Sequence, residues 1–128
     1  MFSNTGAKSP QDVLAGVLSF VEADHLDANT EKIHETFASL KGQFPDILDN
    51  FIFSNNDIFP YSRELDEAMG YLSVARIIGH ENPDYQLMII KKDARPYLKR
   101  LVNRVFNQEE KESLKKIASV LADSLKVN

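Results

Sequence analysis

Residues 76–90 read RIIGHENPDYQLMII, and this stretch decides which fold the chain can adopt. Two β-favouring runs, 76–80 and 86–90, flank a polar segment that contains Asn82-Pro83-Asp84. Because proline presets the backbone dihedral at the second position of a type I turn, this segment suits a tight reversal. The stretch therefore predicts a short antiparallel β-hairpin.

Amphipathic helices are predicted before this hairpin, because apolar residues recur every three or four positions. Ser9, followed by Pro10, is expected to begin a helix over about 10–24, and a second helix is predicted over about 30–41 with Gly42 as a left-handed terminator. A short helix is predicted after Pro45, with an apolar face of Ile47, Leu48, Phe51 and Ile52. Ser62 is expected to cap a further helix that continues to about residue 76. The segment from 54 to 60 is predicted as a loop.

Two more helices are predicted after the hairpin. Asp93 is expected to cap the first of them, and Pro96 fits its first turn. Asn107 and Glu110 have the spacing of a capping pair for the final helix. The buried faces are expected to hold Tyr97, Leu98, Leu101, Val102 and Val105 in the first helix and Leu114, Ile117, Leu121 and Leu125 in the second.

This order of elements is that of a mainly α, winged-helix-like helical domain with one small antiparallel β-hairpin and a C-terminal helical extension. Pro60-Tyr61-Ser62-Arg63-Glu64-Leu65, followed by Leu72 and Ile77-Ile78, resembles the Pro-Tyr-Ser-x-x-Leu start of the corresponding helix in some bacterial winged-helix-like proteins, including toxin–antitoxin-associated ones. The resemblance covers about 60–90. It implies that the helix before the hairpin is a recognition helix and that the hairpin is the wing. Many winged helices have glycine before the first wing strand, where this chain has Ala75 and Arg76.

Length and composition are those of one soluble domain. The chain has 128 residues, 43% of them hydrophobic, and no cysteine. A chain of this size can bury a core without a metal ion or a disulfide. We expect a flexible N-terminus over 1–8, a single domain over 9–126, no membrane-spanning segment and a cytoplasmic location.

Positive charge is concentrated after the hairpin, although the chain as a whole has a net charge of −4. The cluster consists of Lys91, Lys92, Arg95, Lys99, Arg100 and Arg104. These cations are either a solvated border around an apolar helix face or contacts to nucleic-acid phosphates. In the second case Lys91, Lys92, Arg95 and Lys99 hold phosphates, while Arg63 and wing residues near Asn82 approach the grooves.

The predicted recognition helix is poorly suited to reading DNA. With its apolar stripe inward, its outer side presents Arg63 together with the two acids Asp66 and Glu67, and acids repel phosphate. We therefore expect a non-enzymatic regulatory or protein-interaction module, with a homodimer as one arrangement. A DNA-binding transcriptional regulator of winged-helix type is the alternative.

Aromatic residues are dense between 44 and 59. Phe44, Phe51, Phe53 and Phe59 are either core or the lining of an apolar groove for a peptide, a small ligand or a second copy of the chain. A small-molecule sensor with a pocket near Phe51 is a third functional hypothesis. The apolar side of the final helix either packs on the domain or dimerises.

No catalytic residue, metal ligand or cofactor site is expected from the sequence. The chain has no cysteine nucleophile, no glycine-rich phosphate loop and no serine in a strand-turn-helix elbow. His25 with Asp27, and His80 with Glu81 and Asp84, offer ligand atoms, but neither group has the i, i+4 spacing of a helical zinc motif.

Overall fold

The computed structural model describes residues 8–55, 58–81 and 87–127 and is mainly helical. The helices are α1 (Pro10–Ser19), α2 (Thr30–Gln43), α3 (Arg63–Val74), α4 (Arg95–Val105) and α5 (Gln108–Ser124), and a 3₁₀ turn at Lys92–Ala94 leads into α4. The strands are β1 (His25–Asp27), β2 (Ile78–Glu81) and β3 (Leu87–Ile90). Lys8 is the only residue of the predicted flexible N-terminus within the described part.

The predicted hairpin is confirmed, and a third strand joins it. β2 and β3 pair antiparallel, with Ile78 opposite Ile90 and Glu81 opposite Leu87. β1 pairs antiparallel with the other edge of β3, which gives the order β1-β3-β2. The predicted turn at Asn82-Pro83-Asp84 lies outside the described residues. β1 has only three residues, too few for an alternating pattern to predict a strand.

The prediction for α1 is correct at its start and too long at its end. Ser9 accepts a hydrogen bond from the backbone N–H of Asp12 (3.2 Å), and Pro10 occupies the first helical position. The helix ends at Ser19, because the next N–H groups bond three residues back in a tighter turn. α1 is the central helix of the domain: its residues 13–18 are all buried, and it packs against α3, α4 and α5.

α3 begins and ends with identifiable caps. The hydroxyl of Ser62 accepts a hydrogen bond from the N–H of Leu65 (3.2 Å), as predicted. At the other end, the N–H of Ile77 bonds to the carbonyl of Leu72 (2.9 Å) and that of Arg76 to Ser73 (3.0 Å), which is a Schellman motif. Arg76 has a φ of 64°, so an arginine occupies the left-handed position where glycine is usual.

Two predictions about α2 and the segment after it are wrong. α2 runs through Gly42 to Gln43, so this glycine does not terminate the helix. Residues 45–50 form successive turns in place of the predicted short helix. Since these turns do not keep a helical period, Ile52 leaves the expected apolar face and is 60% exposed.

The cap of α4 also differs from the prediction, whereas that of α5 is confirmed. Asp93 lies inside the 3₁₀ turn, and Ala94 precedes α4 with no side-chain cap. In α5 the side chain of Asn107 accepts from the N–H of Glu110 (2.8 Å), and the Glu110 carboxylate accepts from the N–H of Asn107 (2.9 Å). This is a complete capping box.

The core is formed by α1 with the inner sides of the other helices and the sheet. Leu114, Ile117 and Leu121 of α5 and Leu125 at its C-cap are buried in it, so this side of α5 packs on the domain and is not a dimer surface. Tyr97, predicted as buried, is 40% exposed. No helix within the described ranges combines the length and apolar character needed to cross a bilayer.

Candidate functional site

Arg95, one of the predicted phosphate contacts, holds the end of α1 to the start of α4. Its guanidinium donates hydrogen bonds to the carbonyl oxygens of Val21 (2.6 Å), Leu18 (3.2 Å) and Ala23 (3.2 Å). It also lies 3.7 Å from the carboxylate of Asp24. The carbonyl of Leu18 also accepts from the N–H of Val21 (3.1 Å), whereas Val21 and Ala23 follow the end of α1, so Arg95 supplies donors to the chain that leaves the helix. Its guanidinium therefore offers fewer free donors to a phosphate than the nucleic-acid hypothesis assumes.

The other predicted phosphate contacts lie on the surface. Arg63 begins α3, Lys91 follows β3, Lys92 begins the 3₁₀ turn and Lys99 lies on the outer side of α4, and all four are exposed. None of them forms an ion pair within the part of the chain that the structure describes. The three lysines lie on or next to α4, whereas Arg63 lies on α3, and both helices pack on α1. Their joint role in nucleic-acid binding stays a prediction.

The predicted aromatic groove is mostly core. Phe51 is 0% exposed and stacks on Phe37, with ring centroids 5.9 Å apart. Phe44 and Phe53 are partly buried and pack against the same core, while Phe59 lies against the ring of His34 at 5.9 Å. Phe51 itself has no exposed surface to offer a ligand, and an apolar pocket formed by the other three phenylalanines stays a prediction.

His34 is a buried histidine that ties α2 to the start of α3. Its side chain is 2% exposed, and Nδ1 accepts a hydrogen bond from the backbone N–H of Ser62 (3.0 Å). The ring stacks on Tyr61, with centroids 4.7 Å apart, and Nε2 lies 3.7 Å from the Asp66 carboxylate. Since Nδ1 acts as an acceptor, the neutral ring with its proton on Nε2 fits this site.

Ser62, His34 and Asp66 do not form a catalytic triad, although they lie together. A nucleophilic serine needs its hydroxyl within hydrogen-bond reach of the base. Here the backbone N–H of Ser62 bonds to His34, while its hydroxyl accepts from Leu65 and donates to Glu64 (3.2 Å). Ser62 is also fully buried. The group is a structural connection between α2 and α3.

A cavity of about 300 Å³ lies beside this group, between α2, α3 and β2. Its lining includes Thr30, His34, Asp66, Ser73 and His80. Within the described residues, no three His, Cys, Asp or Glu side chains are placed to hold a metal ion. Asp84, which the sequence places near His80 as a possible ligand type, lies outside the described residues.

The burial of His34 makes the stability of the fold dependent on pH. Burial lowers the pKa of His34, and the nearby Asp66 carboxylate opposes this shift without cancelling it. The unfolded chain, with a histidine pKa of about 6.5, therefore binds the proton more readily than the folded chain. The stability contributed by the neutral ring is present above about pH 6.5 and is lost as the pH falls through the folded-state pKa.

We accordingly expect the free energy of unfolding to decrease between pH 7.5 and pH 5.5, measured by urea denaturation. In His34→Asn the amide oxygen can still accept from Ser62 but does not titrate, so the decrease should be smaller. An equal decrease in both proteins would assign the pH dependence to other groups.

An open groove lies between α3 and α4, and no sequence prediction identified it. We call it the tyrosine groove and define it by Tyr71 of α3, Tyr97 of α4 and Ile77, which line both of two adjoining cavities of about 320 and 200 Å³. One cavity continues towards Ala75, Arg76, Asp93 and Ala94, and the other towards Ser9, Gln11, Asp12, Ala15, Leu72 and Leu101. Tyr71 is 54% exposed, and Val74, one turn further along α3, is 84% exposed.

Few features of the sequence indicate this groove. Tyr97 directly precedes Leu98, so the helical pattern assigned it to the core. Tyr71 lies off the apolar stripe that Leu65 and Leu72 define, which is a signal for an exposed aromatic residue. That the two tyrosines face one groove depends on how α3 and α4 pack on α1.

Comparison with known proteins finds no similarity: no family model, no curated protein and no solved structure matches the chain.

Proposed function

We propose that this chain is a cytoplasmic, winged-helix-like single domain over 9–126 that acts without catalysis as a regulatory or protein-interaction module. The order α1-β1-α2-α3-β2-β3, with β1 next to β3, supports the winged-helix part of this proposal. α3 then takes the place of the recognition helix, β2 and β3 form the wing, and α4 and α5 are the C-terminal extension.

The outer face of α3 carries the functional part of the proposal. It exposes the carboxylates of Asp66 and Glu67 next to the apolar surface of Tyr71 and Val74. Carboxylates facing a duplex would be repelled by its phosphates. Exposed apolar side chains gain no binding free energy from contact with the charged sugar-phosphate backbone. The same combination of tyrosine, aliphatic and charged side chains is typical of protein interfaces.

The buried polar group at the start of α3 supports a non-catalytic role. The hydroxyl of Ser62 is fully used as a helix cap, and Nδ1 of His34 is used by a backbone N–H. Neither group is therefore free to act as a nucleophile or a base on a bound substrate.

A DNA-binding regulator is the second candidate, and the exposed cations of Lys91, Lys92 and Lys99 favour it. Lys91 and Lys92 directly follow β3, which belongs to the wing in this arrangement, and Lys99 lies on the outer side of α4. Cations near a wing are placed to contact the DNA backbone, and each contact steepens the dependence of affinity on salt.

A duplex titration at low and moderate salt decides between the two candidates. For the protein-interaction module we expect no nanomolar binding to a mixed set of random duplexes in an electrophoretic assay. The proposal would be refuted by nanomolar binding whose affinity falls steeply with salt. In such binding, log K decreases linearly with log salt concentration, with a slope of about −0.9 per phosphate contact. In that case the double variant Lys92→Ala, Lys99→Ala should reduce the slope, whereas Lys116→Ala on α5 should not.

A further inference from the structure

We propose that the cavity between α2, α3 and β2 binds a small neutral ligand with adjacent hydroxyl groups, such as a sugar or the ribose of a nucleoside. At its centre, a hydrogen-bond donor of His34 and an acceptor of Asp66 lie side by side. We call this cavity the hydroxyl site and define it by Thr30, His34, Asp66, Gly70 and Ser73. The inference goes beyond the proposed function, because it concerns a small molecule and not a macromolecular partner.

The contacts of His34 determine where its proton points. Nδ1 accepts a hydrogen bond from the backbone N–H of Ser62 (3.0 Å), so the proton of the neutral ring is on Nε2. One face of the ring stacks on Tyr61, with centroids 4.7 Å apart. The edge that carries Nε2 is therefore the part of the ring that is left to line the cavity.

Nε2 is a donor without an acceptor in the described part of the chain. The Asp66 carboxylate lies 3.7 Å away, which is beyond hydrogen-bond distance. Among the described residues that are not exposed, no polar side-chain atom is both fully enclosed and without a hydrogen bond. Nε2 therefore keeps some open surface, although the side chain is only 2% exposed, and the cavity provides that surface. A buried N–H of this kind is directed at whatever fills the cavity.

The acceptor beside Nε2 is held in position by Tyr61. The hydroxyl of Tyr61 donates to Oδ2 of Asp66 (2.9 Å), whereas Oδ1 is the oxygen that lies 3.7 Å from Nε2. Tyr61 thus contacts both members of the pair, because its ring stacks on His34 while its hydroxyl binds Asp66. The donor and the acceptor are therefore kept next to each other before any ligand binds.

A donor and an acceptor side by side select the chemistry of the ligand. A cation offers only donors and would face the N–H of His34, whereas an anion offers only acceptors and would face the carboxylate of Asp66. A hydroxyl both donates and accepts. Two adjacent hydroxyls can therefore accept from Nε2–H and donate to Oδ1 at the same time.

The rest of the lining suits a ligand with several hydroxyls. Thr30 and Ser73 add hydroxyls that can each donate and accept, and Ala28, Ile33 and Met69 form an apolar side for the C–H groups of a ring. The volume of about 300 Å³ lies at the small end of ligand cavities, so a single sugar ring is the matching size. A flat carboxamide could bond to the central pair, but it would leave the outer hydroxyls unused.

Ligand titration of the isotope-labelled full chain, followed by nitrogen–proton correlation NMR at about pH 7.5, tests the proposal because His34 is neutral there. D-glucose and uridine present adjacent hydroxyls on a free sugar and on a nucleoside. At least one of them should shift the signals of Thr30, Gly70 and Ser73 saturably, with a Kd of about 0.1–10 mM. Whichever of the two binds identifies the source of the sugar ring.

Compounds without adjacent hydroxyls provide the ligand control. Cyclohexanol replaces D-glucose and 2′-deoxyuridine replaces uridine in the same titration. Each should bind at least about tenfold more weakly than its counterpart, because a site that bonds to a hydroxyl loses affinity when that hydroxyl is missing.

Gly70→Leu tests the location of the site without disturbing the fold. Gly70 lies inside α3 on the wall of the cavity, and a Cβ added there meets no atom within 4 Å. Leucine also favours a helix more than glycine does, so the variant should be at least as stable as the wild type. Its side chain should occupy the space of the ligand and weaken binding at least about tenfold. Gly42→Leu is the matched control, because Gly42 has the same open space on α2 but does not line the cavity, and it should leave the affinity unchanged.

Asp66→Asn tests the central pair. The substitution replaces one acceptor oxygen with a donor, so binding should weaken at least about tenfold. Glu67→Gln removes the same charge from the next residue, which does not line the cavity, and should have no effect on binding. Thermal unfolding followed by circular dichroism should show that both variants are folded, as is usual for substitutions of exposed residues.

The proposal is overturned if neither D-glucose nor uridine causes a saturable shift up to about 50 mM, which is well above the expected Kd. It is also overturned if the compounds without adjacent hydroxyls bind equally well, or if Gly70→Leu binds as tightly as Gly42→Leu. Binding of acetamide in place of both probes would assign the central pair to a carboxamide instead. None of these results touches the proposed function, which fails only if the chain binds duplex tightly and with steep salt dependence.

Discussion

Replacing Phe51 with alanine is expected to lower the free energy of unfolding by about 3–5 kcal/mol. The side chain is completely buried and stacks on Phe37, so its removal leaves a cavity that the surrounding residues cannot fill fully. Its own carbonyl accepts a hydrogen bond from Lys41 (2.7 Å), which fixes the backbone at this point and limits relaxation. Urea denaturation followed by circular dichroism measures the change.

The neighbouring residue provides the control for this prediction. Ile52→Ala should change stability by no more than about 0.5 kcal/mol, because its side chain is largely exposed. A Phe51→Ala protein with unchanged stability would mean that Phe51 is not part of the core, and would favour the hypothesis of a ligand pocket there.

Arg95→Ala is expected to lower the free energy of unfolding by about 2–3 kcal/mol. The substitution removes the charged donor of three hydrogen bonds and leaves the carbonyls of Leu18, Val21 and Ala23 without it. Part of this loss is offset because the guanidinium is about a quarter exposed and water can replace it. Denaturation of the variant beside the wild type gives the value.

Two further variants test whether the geometry of Arg95 matters or only its charge. Arg95→Lys keeps the charge but cannot reach several carbonyls with a planar fork, so most of the loss should remain. Lys99→Ala, one turn further along the exposed side of α4, should have little effect. If Arg95→Ala were as stable as Lys99→Ala, the contact with the end of α1 would not contribute to the fold.

Local signals in the sequence predicted the elements that depend on near neighbours. The N-caps Ser9 and Ser62 and the box of Asn107 with Glu110 are confirmed, because each involves atoms no more than three residues apart. The hairpin is confirmed for the same reason: its strands are close in the chain, and their β-favouring runs are separated by turn residues.

Predictions that needed a distant partner were incomplete. β1 exists because β3 offers a free edge, and nothing within His25–Asp27 indicates that pairing. Asp93 has the chemistry of a cap, but the chain enters α4 through a 3₁₀ turn that places this residue inside the turn. The end of α1 is determined by a tighter final turn and by Arg95, which is more than seventy residues away in the chain.

For the candidate site, too, features that depend on near neighbours were predicted and features that depend on distant partners were not. The sequence identified the basic residues around α4 and the acids on α3, and their exposure agrees with the predicted faces. It did not identify the groove that Tyr71 and Tyr97 form, because the two residues belong to helices that are far apart in the chain and that both pack on α1. His34 gave no signal, since its burial depends on Tyr61 and Ser62 closing over it.

By itself, the sequence determined that this chain forms amphipathic helices around a β-hairpin, because periodicity, capping and turn chemistry act over a few residues. Only the tertiary structure decided which cations are free, which histidine is buried and which tyrosines face each other. Those properties depend on the desolvation and pairing of groups that are far apart in the chain, and packing around α1 brings them together.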